Sequence, residues 1–211
     1  MALFGGADMS TIEGYFQTET LGMMTPIAVI LVANAAAAGG IAGLERNRTI
    51  GVLLANPIPR WRIVLAALAS SATWTLIVAV TTGGGIAVSN LLFDLGMDYG
   101  NIAAVTLMAF ALGWFFGGLA LLISAATGRT AVTSWTTVAV AVVTYFLNVF
   151  LTLDKDLKDW AQLSPFYWYG ENQPLINGLE WSHAAVLLAG GAVLAIAAFF
   201  AYRNRDLRLG T

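Results

Sequence analysis

Five stretches of this chain lack Asp, Glu, Lys and Arg for twenty residues or more: Leu21 to Leu44, Ile63 to Phe93, Ile102 to Ala126, Thr130 to Leu153, and Ser182 to Tyr202. A helix rising about 1.5 Å per residue needs about 20 residues to cross about 30 Å of hydrocarbon, and each run is that long. Hydrocarbon offers no partner to backbone N–H and C=O groups, so each run must satisfy its own and is predicted to be a helix. The expected fold is an all-α, polytopic transmembrane bundle in one domain.

A water-soluble alternative would need charged helix faces between its apolar segments. Only 10% of residues are charged, against about 25% in a soluble domain. The mean hydropathy is +0.76. There is no cysteine, which removes disulfides, thiolate metal sites and cysteine nucleophiles. No metal site is predicted. A net charge of -2 with no basic cluster outside short loops gives no footprint for nucleic acid. The second run is long for one straight span and contains Gly83-Gly84-Gly85, so a kink or an interfacial tail is expected there.

The charges alternate with the runs. Arg46, Arg48, Arg60, Arg62, Arg129, Arg203, Arg205 and Arg208 fall on one side. The other side holds Lys155 and Lys158 with most of the acids, among them Glu13, Glu19, Asp94, Asp98, Asp159, Glu171 and Glu180. By the positive-inside tendency the arginine side is cytoplasmic, in a plasma membrane and specifically a prokaryotic inner membrane. Five runs then put the N-terminus outside, without a signal to carry it there. The reading is that a further N-terminal helix precedes them, the rival being a short translocated tail.

Glu45 to Arg62 connects the first two runs on the arginine side. Ile50, Leu53, Leu54 and Pro57 recur at helical spacing, so residues 47–56 read as a short amphipathic helix stopped by Pro57 and Pro59. On physics alone such a helix lies on lipid headgroups with its arginines against phosphate. The segment also resembles the cytoplasmic loop of the permease subunits of type-2 ATP-binding-cassette exporters. The residues that match as they stand are Glu45, Thr49, Leu53, Leu54, Ala55, Pro57 and Arg60. Arg48 replaces a glycine of the family pattern, and Gly51 a glutamate. Leu163-Ser164-Pro165-Phe166 with Pro174-Leu175, then Arg203-Asn204-Arg205-Asp206-Leu207, resemble the family's closing pattern.

The resemblance implies that this chain supplies helices two to six of a six-helix permease half. It further implies a coupling helix, with Glu45, Arg48, Thr49, Leu53, Leu54, Pro57 and Arg60, that docks on a cytoplasmic ATPase subunit. The other partner would be a second permease half, identical or homologous. The chain is not itself an ATPase, because no G-x-x-x-x-G-K-[ST] loop occurs and its only lysines, Lys155 and Lys158, lie in the opposite loop. No cofactor is expected on this chain, ATP and magnesium belonging to the partner.

The loop over residues 154–181 concentrates Trp160, Phe166, Tyr167, Trp168, Tyr169 and Trp181 where headgroups are expected. Read from composition this is an aromatic belt. Read through the resemblance it is a pair of re-entrant helices, broken at Pro165 and Pro174, that caps the translocation path.

No ionisable group lies well inside a run, which disfavours a proton-coupled antiporter. His183 is expected at the interface. Asn34, Thr75 and Asn148 are candidate path-lining polar groups, although such residues usually bond helix to helix. Gly39-x-x-x-Gly43 and Gly113-x-x-x-Gly117 are candidate close-packing stripes. The predicted function is export of a lipophilic or amphipathic substrate, since a path without fixed charge suits such a ligand. A membrane scaffold, regulatory or immunity subunit is the alternative.

Overall fold

The computed structural model describes residues 11–47, 59–153 and 157–205. Among these no residue is in a strand, and five helices are long and apolar enough to span a membrane. They are α1 (Ile12–Gly40), α3 (Arg60–Phe93), α4 (Tyr99–Thr127), α5 (Thr130–Leu153) and α8 (Trp181–Arg203). Shorter pieces join them: α2 (Ala42–Arg46), a 3-10 turn (Lys158–Leu163), α6 (Pro165–Gly170) and α7 (Pro174–Asn177). The long helices alternate in direction, so the molecule has a basic end (residues 40–47, 59–62, 127–130 and 203–205) and an acidic end.

The helix formed by the first run begins at Ile12 rather than Leu21. The extra turns contain Glu13, Gln17, Thr18 and Glu19, whose polarity hides them from a hydropathy reading. Within α1, Phe16–Met24 is a π-helix. The second run is one uninterrupted helix through Gly83-Gly84-Gly85 to Phe93, ending where Asp94 turns left-handed at φ 49°. The amphipathic helix predicted at 47–56 falls almost entirely outside the described residues.

Helix α4 is the centre, packed against α1, α3, α5 and α8. One buried cluster joins Val29, Ile30, Met108, Leu112, Phe116 and Leu187 across three of these helices. Small residues set the spacing. A Cβ added at Gly117 would lie 2.6 Å from Ser71 Oγ and 3.4 Å from Ala33 Cβ, and one at Gly113 would collide with Thr75. Gly113-x-x-x-Gly117 is therefore where α1 and α3 approach α4. Gly39-x-x-x-Gly43 is not a packing stripe: a Cβ at Gly39 meets nothing within 4 Å, and the helix is interrupted at Ile41 between the two glycines.

On the other side of α4, a Cβ added at Gly118 would lie 2.6 Å from the Gly191 carbonyl oxygen of α8. Trp114 fixes the same seam by donating Nε1–H to Leu188 O at 3.1 Å. Helix α5 leans on α4 and α1 and turns Trp135, Val143, Phe146 and Phe150 outward.

Candidate functional site

At the acidic end the π segment of α1 meets the loop that precedes α8. In a π-helix each N–H reaches the carbonyl five residues back. The Thr25 amide does so, bonding Thr20 O. The next acceptor in that register is Leu21 O, whose partner would be the amide of residue 26, and residue 26 is proline. Tyr169 of α6 fills the vacancy, donating its hydroxyl to Leu21 O at 2.8 Å. Burial without a charged partner pushes the Tyr169 phenol above its ordinary value, so it stays protonated and can donate.

Gln17, also in the π segment and buried, accepts the Leu175 amide at 3.2 Å through Oε1. Asn101 of α4 donates Nδ2–H to Leu175 O at 3.0 Å. The short helices are thus tied to both α1 and α4.

Ser164 begins α6. Its hydroxyl accepts the Phe166 amide at 3.2 Å and donates to Thr144 O of α5 at 2.8 Å. Pro165 occupies the first helical position, where its missing N–H is no loss. Phe166 then drops into the bundle, its ring 5.7 Å from Phe116 and 5.3 Å from Tyr145. Pro174 likewise starts α7 and is buried. Trp160 is exposed, whereas Trp168 donates Nε1–H to Gln162 O at 2.8 Å and stands edge-on to His183, 5.1 Å between centroids. His183, in the first turn of α8, is only 7% exposed and lies under Trp168.

Below Phe166, between α1 and α5, lies a cleft of about 440 Å³. Met23, Ile27 and Ile30 form one wall, Val142, Tyr145 and Phe146 the other, and Phe166 its end. Its lining is apolar almost throughout.

The three polar candidates are not brought together. Asn34 lies one turn beyond Ile30 toward the basic end and donates Nδ2–H across to Ser134 O of α5 at 3.4 Å. Its Oδ1 is buried and accepts no hydrogen bond among the described residues. Asn148 lies beside Val149 of the cleft wall, its Oδ1 in the same condition. Thr75 is on the α3–α4 seam, donating to Ser71 O at 2.7 Å with its methyl against Gly113.

At the basic end, Glu45 is turned inward and paired with Arg205, the side chains 7% and 17% exposed. Arg205 also donates Nη1–H to Ser124 O at 3.4 Å. The Ser124 hydroxyl accepts the Ala42 amide at 3.1 Å, which the interruption at Ile41 leaves without a helical partner. Gly128 ends α4 at φ 63°, and a Cβ there would collide with the Glu45 carboxylate. Of the remaining loop residues of interest, Arg48, Thr49, Leu53, Leu54 and Pro57 lie outside the described residues, and Arg60 opens α3.

Tyr169, Gln17, Ser124 and Gly128 escaped the sequence reading as site residues. Only Pro26 carried a signal, because a proline inside a helix always strands one carbonyl.

Five long apolar helices, four of them packed around α4, capped at one end and cleft between α1 and α5, make up a multi-pass membrane protein. Residues 1–203 match the family described as multidrug efflux system permease Rv1217c, C-terminal domain, and the chain belongs to that family. No curated protein matches it.

Proposed function

We propose that the chain is the membrane permease of an ATP-driven exporter of the type-2 ATP-binding-cassette kind. It moves lipophilic or amphipathic compounds out of the cytoplasm. The basic end faces the cytoplasm, and the connection from Glu45 to Arg62 receives the stroke of a separate ATPase subunit. A second permease half, identical or homologous, completes the pathway.

The observation that carries this reading is the α1–α5 cleft. A volume of about 440 Å³ falls in the range of about 300–1,000 Å³ typical of small-molecule pockets. Its walls offer dispersion and aromatic contact from Tyr145, Phe146 and Phe166 and no fixed charge. A ligand already dissolved in lipid loses little by entering such a site, whereas an ion would be left without compensation. Family membership among multidrug efflux permeases supports export of chemically varied compounds.

The test is purification of the tagged chain from its native membrane, with mass spectrometry for a co-purifying Walker-motif protein. Efflux of uncharged and strongly charged dyes from intact cells is measured alongside. An associated ATPase with selective efflux of the uncharged dyes supports the reading. Absence of any ATPase replaces it with a scaffold or immunity role.

A further inference from the structure

The pairing of Glu45 with Arg205 joins residues that are 160 positions apart in the chain. Glu45 sits in α2, three residues before the undescribed part of the loop begins at Arg48. Arg205 lies just past the end of α8. Both side chains are largely withdrawn from solvent, and the surroundings are arranged around them. Ser124 offers its carbonyl to Arg205 and its hydroxyl to the Ala42 amide, while Gly128 leaves the space that the Glu45 carboxylate occupies. The Arg205 guanidinium also stands 5.8 Å from the Tyr202 ring centroid. A buried charge pair supplied with further hydrogen bonds holds its partners in one geometry more than it adds stability.

Helix α8 runs from this knot to the cap. Its 23 residues span about 35 Å, and at the far end His183 packs against Trp168 of α6. Between the ends it is locked to α4 by Trp114 and by the Gly118–Gly191 approach.

We propose that Arg205 is a positioning residue of the coupling mechanism. It makes Glu45 an internal tie rather than a contact for the ATPase, so that displacement of the loop is carried into α8 and along it to the cap. This rests on the exporter reading above.

The experiment uses the full chain purified with its ATPase partner, and cells carrying the same complex. Efflux is read with the uncharged lipophilic ester calcein-AM, and ATP hydrolysis is measured on the purified complex. Arg205→Ala is expected to lower efflux about tenfold or more, while hydrolysis falls by less than about threefold. The chain contains no cysteine, so Glu45→Cys with Arg205→Cys gives a unique pair. This double variant is expected to behave like Arg205→Ala until a bifunctional methanethiosulfonate linker joins the two thiols, which restores efflux until reductant is added.

Wild-type efflux in Arg205→Ala overturns the proposal. So does equal loss of efflux and hydrolysis that the linker does not repair, since that is the behaviour of a purely structural contact. A wild-type chain that brings no ATPase with it overturns the exporter reading, and the proposal with it.

Discussion

Tyr169 donates its hydroxyl to the Leu21 carbonyl, the one acceptor in the π register that Pro26 deprives of an amide. Tyr169→Phe should therefore cost about 1–3 kcal/mol, the penalty for leaving a buried carbonyl unpaired. Pro26→Ala returns an amide to that position, so the same Tyr169→Phe change should cost less in its presence. A double-mutant cycle on thermal unfolding in nanodiscs measures this coupling, and strictly additive effects would contradict the account.

The same phenol gives a pH signature. Its folded value is raised by burial, so the folded state holds the proton after the unfolded chain has lost it. The contribution is complete below the ordinary phenol value of about 10 and declines as pH rises above it. Unfolding midpoints across the alkaline range should fall less steeply for Tyr169→Phe than for wild type.

Two pairs of glycines with identical spacing, one a packing stripe and one not, should respond in opposite ways. Gly113→Val forces a branched side chain against Thr75 and should destabilise by about 1–3 kcal/mol or block expression. Gly39→Ala meets open space in a helix and should be neutral or stabilising by up to about 1 kcal/mol. Expression level and thermal midpoint in detergent distinguish them.

Ala141 is buried in the α5 wall of the cleft. Ala141→Phe should fill much of that volume and reduce efflux of bulky apolar dyes by about tenfold, with smaller compounds less affected. A thermal midpoint within a few degrees of wild type would show that transport, not folding, has changed.

Ser124→Ala removes the acceptor for the Ala42 amide, and a stranded buried amide costs about 1–3 kcal/mol. Hydrogen exchange should show the added opening first at residues 41–46. Protection there equal to wild type would mean that another acceptor takes over.

The spans were legible because hydrocarbon imposes a simple demand, a long run without charge, and α5 matches its run to the residue. The beginning of α1 was not legible because Gln17 and Thr18 are polar by composition and buried only through the fold. Gln17 finds its partner at Leu175. The Glu45–Arg205 pair was hidden for a related reason, since each residue alone reads as an ordinary charge at a helix end. The aromatic loop was rich in signal but ambiguous: Trp160 and Trp181 are exposed as belt residues would be, while Phe166 and Tyr169 are interior. Composition could not separate the two groups. Asn34 and Asn148 were legible as polar groups inside spans, yet nothing local tells that Thr75 belongs to a different seam.

The Gln17–Leu175 contact also constrains the order of biogenesis. The two residues are 158 positions apart, so the polar early turns of the first helix leave the ribosome long before the segment that shields them. Until α6 and α7 are made, the Leu21 carbonyl has no tyrosine and Gln17 no amide to accept. Helix α1 is thus finished only after α3, α4 and α5 have been made, and its completion reports that the segment between α5 and α8 has arrived.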